Sequence, residues 1–203
     1  MRRSTRRYLI RADLYRLTER VDTKTLVKSW FVNPNMRFMV VFRTGVWARA
    51  TPGHRLARLV TSFLYRRYSV RYGIEMPFAT PVGPGLRINH WVGGIVVNPR
   101  ARLGSAVTLT PGVVIGNNAP ALEAATIGDR VILNVGCKVI GGITVGHDSQ
   151  VGANAVVIRD VPPKSVAAGV PARVIDGAVP APSWYLDFER LLGPIPDDAP
   201  GQG

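Results

Sequence analysis

Three histidines and one cysteine are the residues of this sequence best suited to acid–base or nucleophilic chemistry near neutral pH. His90 stands out because Gly93-Gly94 follows it closely, and glycine lets a backbone come near a substrate. A histidine so placed would act as a general base toward an attacking hydroxyl; the plainer interpretation is a surface histidine at a turn. His54 and His147 lie in segments of different pattern, too far apart to join it in a zinc site, so we predict no metal.

The elements that must position His90 follow a period of six residues. Of the eleven positions reached in steps of six from Val97 to Val157, ten are Ile, Leu or Val. This period matches neither an α-helix nor a flat strand, but it fits the side of a triangular β-solenoid whose aliphatic residues stack inside. Glycine often follows the aliphatic residue, and we expect it to allow the tight corners. The alternative is a β-sandwich of short strands, in which the spacing would drift.

Two interruptions of the period mark the loops that are expected to carry function. Val97 comes nine positions after Ile88 instead of six, and the stretch between them contains His90. The second interruption is 117–125, where position 121 is alanine. Cys137 falls in an inward-facing position and is expected to behave as a small hydrophobic residue.

The N-terminal segment, residues 1–74, is expected to be helical and strongly basic. Residues 1–72 carry 17 Lys and Arg against three acidic residues, whereas the remainder is nearly neutral. Within 54–72, one helical stripe holds Leu56, Leu59, Val60, Phe63 and Leu64. This positive charge is compatible with two interpretations, a solvated basic face or a face that contacts a membrane surface. The segment contains no nucleic-acid-binding motif, so no nucleic-acid partner is expected.

The remaining segments complete the expected organisation. No apolar run is long enough to span a membrane, and no signal core follows the basic start, so we expect a cytoplasmic protein, with the inner face of the membrane as an option. Residues 75–175 form the predicted solenoid domain. Residues 176–203 form a tail rich in Pro and Gly, with a short helix expected over 183–192 and disorder over the last eight residues.

The sequence resembles the hexapeptide-repeat acyltransferases, and among them the serine acetyltransferase-like group. The resemblance rests on the hexads, on the stretch from Ile88 to Val97 (INHWVGGIVV), and on Asp160-Val161-Pro162-Pro163 with the later segment AGVPAR at 168–173. It implies a mostly β fold, a left-handed parallel β-helix of hexapeptide repeats preceded by α-helices. It also implies acetyl-CoA as cosubstrate, and a homotrimer that binds CoA in the groove between neighbouring solenoids.

The resemblance also assigns residues to the site. His90 falls on the family's catalytic histidine, and Glu75, counted back without gaps, falls where an aspartate pairs with that histidine. The implied acceptor-binding residues are Asn89, Asn117 and Asn118. The implied CoA-binding residues are Gly152, Ala153, Lys164, Ala168, Gly169 and Arg173.

Two departures bear on the acceptor. Serine acetyltransferases have aspartate where this chain has Asn89, and their Gly-rich loop ends in an Arg-His pair that the segment 116–124 lacks. The short N-terminus and the segment Ala12–Arg16 are more similar to polysaccharide O-acetyltransferases of the colanic acid type. We therefore expect acetyl transfer to a sugar hydroxyl. The alternatives are a serine O-acetyltransferase and, from another class, a noncatalytic β-helical scaffold.

Overall fold

Helices precede strands along the chain. The structure is a computed structural model that describes residues 1–90, 93–118, 120, 122–175 and 188–201. The helices are α1 Arg3–Thr18, α2 Thr23–Val32, α3 Pro34–Ala50, α4 Arg55–Tyr72 and, near the C-terminus, α5 Glu189–Leu192. The strands are β1 Ile74–Glu75, β2 Arg87–Ile88, β3 Ile95–Val97, β4 Arg102–Leu103, β5 Thr108–Leu109, β6 Val114–Gly116, β7 Thr126–Ile127, β8 Ile132–Leu133, β9 Lys138–Ile140, β10 Thr144–Val145, β11 Gln150–Val151, β12 Val156–Val157, β13 Val166–Gly169 and β14 Ala172–Ile175.

The strands form three sheets that the chain visits in turn, as in a triangular solenoid. The first sheet runs β1-β3-β6-β9-β12, the second β4-β7-β10, and the third β2-β5-β8-β11-β13 with β14 at its edge. Pairing is parallel and aligns equivalent hexad residues, for example Ile88 with Leu109 and Leu109 with Leu133; only the final β13–β14 hairpin, among the described strands, is antiparallel. The predicted left-handed parallel β-helix with N-terminal helices is confirmed.

The hexad aliphatics form the interior of the solenoid. Each described member of the series from Val97 to Val157 is at most 2% exposed, and Cys137 is fully buried beside them. Equivalent residues of successive rungs stack on one another, so the period of six residues equals the length of one side of the solenoid. Position 121 lies outside the described residues. The first interruption falls at the corner from the third sheet to the first, and the second at the corner from the first sheet to the second.

The glycines after the aliphatics serve a different purpose from the one expected. Gly104 and Gly128 do not have positive φ. A Cβ at Gly128 would lie 2.7 Å from the backbone nitrogen of His147, so glycine there gives adjoining rungs room to approach. The left-handed corner residues lie elsewhere: Ala106, Arg130, Asp148 and Lys164 before the third sheet, and Gly94, Gly112, Gly136 and Asn154 before the first.

A buried ion pair joins the helices to the first coil. Asp13 of α1 and Arg43 of α3 form a bidentate pair with N–O distances of 2.8 and 2.9 Å, and both side chains are at most 1% exposed. Arg43 also donates to the carbonyls of Val82 and Gly83 at 2.6 and 2.7 Å, while the N–H of Leu86 donates to Asp13 at 2.9 Å. These bonds supply partners for both buried charges.

Arg16 makes a second such link from α1. It is 1% exposed and donates to the carbonyls of Gly85 and Ala106 at 3.2 and 3.0 Å, and to the hydroxyl of Thr108 at 3.0 Å. Two of the seventeen N-terminal cations, Arg16 and Arg43, are therefore interior structural groups and not part of the basic surface. No helix in the described ranges is long and apolar enough to cross a bilayer.

The C-terminal residues 188–201 return to the start of the chain. Phe188 is 3% exposed and makes an edge-to-face contact with Tyr8 at 6.3 Å. Asp198 accepts hydrogen bonds from the N–H of Arg2 and the hydroxyl of Thr5. The expectation of disorder is thus wrong for 196–201, because these groups hold the segment on α1. Of the short helix expected over 183–192, the structure shows α5 from Glu189; 183–187 lie outside the described residues.

Candidate functional site

His90 lies at the end of β2, where the chain leaves the third sheet for the first. Its side chain is exposed and its backbone is left-handed, with φ at 59°. Few residues other than glycine adopt this conformation, and it persists where the surroundings impose it. Trp91 and Val92, which follow in the same loop, lie outside the described residues. The corner therefore presents an imidazole to solvent from a backbone that its neighbours hold in place.

The neighbour that holds it is the N-terminus of α3. Asn35, 3% exposed, donates its side-chain amide to the carbonyls of Ile88 at 2.9 Å and His90 at 2.6 Å. Asn33 in turn caps α3 by accepting from the N–H groups of Asn35 and Met36. The sequence indicated only a helix start at Asn33-Pro34-Asn35. Nothing local in it showed that Asn35 would reach a residue 55 positions later.

A pocket of about 520 Å³ opens beside His90. Its lining residues are Leu17, Asn33, Asn35, Arg87, Ile88, Asn89 and His90. Arg87 donates its Nε–H to Oδ1 of Asn89 at 2.8 Å, so this expected acceptor residue lies next to a guanidinium that the sequence analysis did not single out. The pocket is lined by amides, one cation and one imidazole, and none of these lining residues is a carboxylate.

Glu75 lies on a different sheet from the strand that leads to His90. It is exposed on β1, opposite Val96 of β3. It lines a mainly apolar groove of about 810 Å³ together with Tyr65, Val70 and Phe78 among others. Within the described part of the chain, no hydrogen bond or ion pair joins Glu75 to His90. The expected carboxylate–imidazole pair is therefore not formed in the single chain.

Asn117 and Asn118 lie across the first sheet from His90. They follow β6 at the corner toward the second sheet, whereas His90 precedes β3 at the opposite corner. The side chain of Asn98 donates to Oδ1 of Asn117 at 3.1 Å. Of the three expected acceptor residues, the single chain brings only Asn89 to His90.

The small residues expected to bind CoA meet at the end of the third sheet. Gly152 donates its N–H to the carbonyl of Ala167 at 2.8 Å, and a Cβ at Gly152 would lie 3.2 Å from that of Ala168. Ala153 and Gly169 are exposed at the same end of β11 and β13. Small side chains here leave backbone accessible to a narrow chain such as pantetheine.

The cations assigned to CoA do not lie together. Arg173 pairs with Ala168 across the β13–β14 hairpin, whereas Lys164 precedes β13 at its other end. Arg173 shares a recess of about 460 Å³ with Arg159, which sequence reasoning missed. Asp160 also lines this recess, and its carboxylate accepts from the N–H of Thr144. Two guanidinium groups against one carboxylate leave a net positive charge, which fits the phosphates of CoA.

The other candidate nucleophiles and ligands lie apart from this site. His54 stacks against Trp47 at 4.2 Å, and Nδ1 of His147 lies 2.7 Å from a carboxylate oxygen of Asp148. Burial raises the pKa of the Cys137 thiol to about 12, so the thiol is protonated at neutral pH. Among the residues that the structure describes, no group of three or more His, Cys, Asp or Glu could hold a metal ion.

Comparison with known proteins finds serine acetyltransferases by sequence. The chain is 32% identical to the serine acetyltransferase of Mycobacterium tuberculosis over 166 residues, covering 81% of this chain and 70% of that one. It spans a smaller share of other curated relatives, 61% of one from Helicobacter pylori and 44% of the one from Escherichia coli. No protein-family model matches the chain.

Solved structures give the same result. The soybean serine acetyltransferase apoenzyme superimposes with a TM-score of 0.71 at 26% identity, covering 84% of this chain and 69% of that one. A serine acetyltransferase from Brucella abortus in complex with coenzyme A superimposes with a TM-score of 0.67 at 25% identity, covering 84% and 68%. The similarity therefore extends over both the helices and the solenoid.

Proposed function

The chain belongs to the serine acetyltransferase-like family of hexapeptide-repeat acyltransferases, and on that premise we propose that it transfers an acetyl group from acetyl-CoA to the hydroxyl of L-serine. The observation that carries the proposal is the exposed imidazole of His90 beside a polar pocket, on a backbone whose carbonyl accepts a hydrogen bond from Asn35. The relatives' serine acetyltransferase activity favours this acceptor over the sugar hydroxyl expected from the sequence.

His90 is the proposed general base. Its free ring nitrogen takes the hydroxyl proton as the oxygen attacks the thioester carbonyl, and a tetrahedral oxyanion forms. Collapse of that intermediate breaks the C–S bond, and the protonated imidazole returns its proton to the departing thiolate. The products are the acetyl ester and CoA, and the histidine ends neutral. Glu75 would stabilise the imidazolium once oligomer assembly or substrate binding brings its carboxylate to the ring of His90.

Acetyl-CoA is proposed to lie along the end of the third sheet. The pantetheine arm would run along four positions that place no bulky side chain in its way: Gly152, Ala153, Ala168 and Gly169. Arg173, with Arg159 beside it, would meet the phosphates. Lys164 lies at the other end of β13 and fits this arrangement less well.

The pocket chemistry bears on the choice of acceptor. An amino acid brings a carboxylate and an ammonium, and each needs a partner when it leaves water. Arg87 lines the pocket and supplies a positive charge for the carboxylate. Asn89 supplies an amide oxygen for the ammonium, whereas the amide of Asn35 is buried and donates to the carbonyls of Ile88 and His90. Serine thus finds one charged partner and one neutral one.

A sugar hydroxyl is the second candidate, and one observation favours it. The residues lining the pocket include no carboxylate that would neutralise an ammonium, and Asn89 stands where the family has aspartate. A neutral polyol would make its hydrogen bonds to Asn89 without that cost. An unpaired polar group costs about 1–3 kcal/mol, enough to change acceptor preference by one or two orders of magnitude.

An assay of free CoA thiol released from acetyl-CoA distinguishes the two candidate acceptors. L-serine and a panel of sugars and nucleotide sugars are each supplied as the acceptor. The proposal expects L-serine to give the highest kcat/KM, and Arg87→Gln to raise the KM for serine about tenfold or more. Arg102→Gln, an exposed solenoid variant, is the matched control. A sugar turned over faster than serine would establish the second candidate. No acceptor-dependent thiol release from any of them would contradict acetyl transfer altogether.

The role of His90 is tested with a histidine control. His90→Ala should lower kcat about 10²–10⁴-fold while the Kd for CoA stays unchanged. His147→Ala removes another exposed histidine and should leave turnover as it is. Near-wild-type turnover in His90→Ala would exclude the general-base mechanism.

A homotrimer is the proposed assembly. In the single chain, Asn117 and Asn118 lie across the first sheet from His90, and Glu75 is not bonded to it, so threefold packing offers a way to complete the site from a neighbour. Light scattering should give three times the chain mass at micromolar concentration. A mass equal to one chain would contradict this assembly.

A further inference from the structure

Helix α4 presents its apolar stripe outward. At about 3.6 residues per turn, Leu56, Leu59, Val60, Phe63 and Val70 share one face of the helix. These side chains are 74%, 69%, 47%, 70% and 82% exposed. The opposite face carries Thr61 and Tyr72, both buried against the rest of the protein. An amphipathic helix in a water-soluble domain ordinarily buries its apolar stripe, so α4 is oriented for a partner outside the chain.

The charges around this stripe are all of one sign. The helix contains five arginines and no acidic residue. Arg67 lies within the stripe, and Arg55, Arg66 and Arg71 flank it, all four exposed. The fifth, Arg58, points the other way and donates to the carbonyls of Ala48 and Thr51 at 2.8 and 3.1 Å, which fastens α4 to the end of α3.

The charge pattern of α4 favours an anionic lipid surface as the partner over a second α4 stripe. Pairing of two α4 stripes from two copies of the chain would bring their arginines together with no carboxylate on either helix, and like charges repel. An anionic lipid surface offers apolar acyl chains to the leucines and phenylalanine, and phosphates to the flanking guanidiniums. Basic amphipathic helices that lie in the plane of a membrane interface have this combination.

We propose that the outward face of α4, defined by Leu56, Leu59, Val60, Phe63 and Val70 with Arg55, Arg66, Arg67 and Arg71, binds the surface of an anionic phospholipid bilayer. The helix lies in the interface without crossing it. Its groove-lining end, at Arg66 and Val70, borders the same groove as Glu75. Membrane binding through α4 would therefore hold the first coil of the solenoid close to the bilayer.

Vesicle flotation with the full-length protein tests this directly. The wild-type chain should float with vesicles of phosphatidylcholine mixed with phosphatidylglycerol, and not with vesicles of phosphatidylcholine alone. Added salt should reduce the bound fraction, because attraction between exposed charges and lipid phosphates is screened. No flotation with the anionic vesicles at low salt would overturn the proposal.

Paired variants separate α4 from the rest of the surface. Leu59→Ser with Phe63→Ser should lower the vesicle affinity about tenfold or more, as should Arg66→Gln with Arg67→Gln. The controls are Leu191→Ser, an exposed leucine on α5, and Arg100→Gln with Arg102→Gln on the solenoid; both should bind as wild type. Equal loss in the controls, or full binding by the α4 variants, would overturn the assignment to this helix.

Light scattering on the same proteins tests the competing occupant. If the stripe binds lipid, Leu59→Ser with Phe63→Ser should keep the wild-type mass and thermal midpoint. A fall from an assembly to single chains would show that the stripe packs against another copy, and it would overturn lipid as the occupant.

Discussion

The side-chain amide of Asn35 donates a 2.6 Å hydrogen bond to the backbone carbonyl of His90, and the same amide binds the carbonyl of Ile88. Asn35 belongs to the first turn of α3, and His90 to the corner of the first solenoid coil. The helical segment therefore controls the position of the proposed base. It does so through the backbone, leaving the imidazole exposed to a substrate.

Replacing Asn35 should impair turnover more than stability. Asn35→Ala removes both bonds and should lower kcat about tenfold or more, with KM for acetyl-CoA unchanged, because a misplaced base loses effective contact with the hydroxyl. Ser149→Ala is the control: its buried hydroxyl donates to the carbonyl of Pro162 at 2.8 Å before β11, at the opposite end of the third sheet from His90. Equal kinetic effects in the two variants would assign Asn35 a merely structural role.

Glu75→Gln should have a smaller effect than His90→Ala. The substitution keeps the size of the side chain and removes the charge that would stabilise an imidazolium. Because no bond joins Glu75 to His90 in the described chain, we expect a loss in kcat of about tenfold to a hundredfold, below that for the base itself. Single-turnover rates of CoA release measure it. A loss as large as that of His90→Ala would mean that the two residues act as one unit in the working assembly.

The Asp13–Arg43 pair should contribute strongly to stability. Arg43→Met leaves the Asp13 carboxylate buried without its cation and should lower the free energy of unfolding by about 3–5 kcal/mol. The double variant Asp13→Asn, Arg43→Met should recover part of that loss. Arg130→Met is the matched control, since Arg130 makes a bidentate pair with Asp148 at 2.5 and 2.8 Å on the surface, and should cost about 1 kcal/mol or less. Urea unfolding curves that gave equal losses for both arginines would contradict this ranking.

Cys137 should be unreactive in the folded protein. Its thiol is buried and its pKa is raised to about 12, so almost no thiolate forms between pH 7 and pH 9. Iodoacetamide should leave the native chain unlabelled by mass spectrometry, and label it once after unfolding in guanidinium. Rapid labelling of the native protein would show that the last coils open, or that this thiol has another role.

The solenoid was predictable because the hexad period is local. Each aliphatic residue from Val97 to Val157 marks one inward position, and the extra residues near His90 and in 117–125 mark the two irregular corners. The role of the glycines was not predictable in the same way. Gly128 is glycine because a Cβ there would collide with the backbone of the adjoining rung at His147. The sequence repeat alone does not show whether a glycine provides this space or a left-handed backbone.

The acceptor that the relatives favour differs from the one predicted from the sequence, for a related reason. Asn89 and the loop at 116–124 depart from the serine acetyltransferases, and those departures favoured a sugar. The structure places Arg87 beside Asn89, so a cation is present although the loop lacks one. The absence of a cation from the loop after β6 therefore does not exclude a cation on β2 that lines the pocket beside His90.

The sequence by itself determined the parallel β-helix through its period and the left hand through its family resemblance, and it predicted His90 as the general base. Tertiary structure decided which groups surround that base and which way α4 faces. Periodicity shows that a helix has two unlike faces, but the buried face is chosen by the contacts of α3 and the first coil. For α4 those contacts fall on Thr61, Tyr65, Tyr68 and Tyr72, and the outward apolar stripe is left exposed.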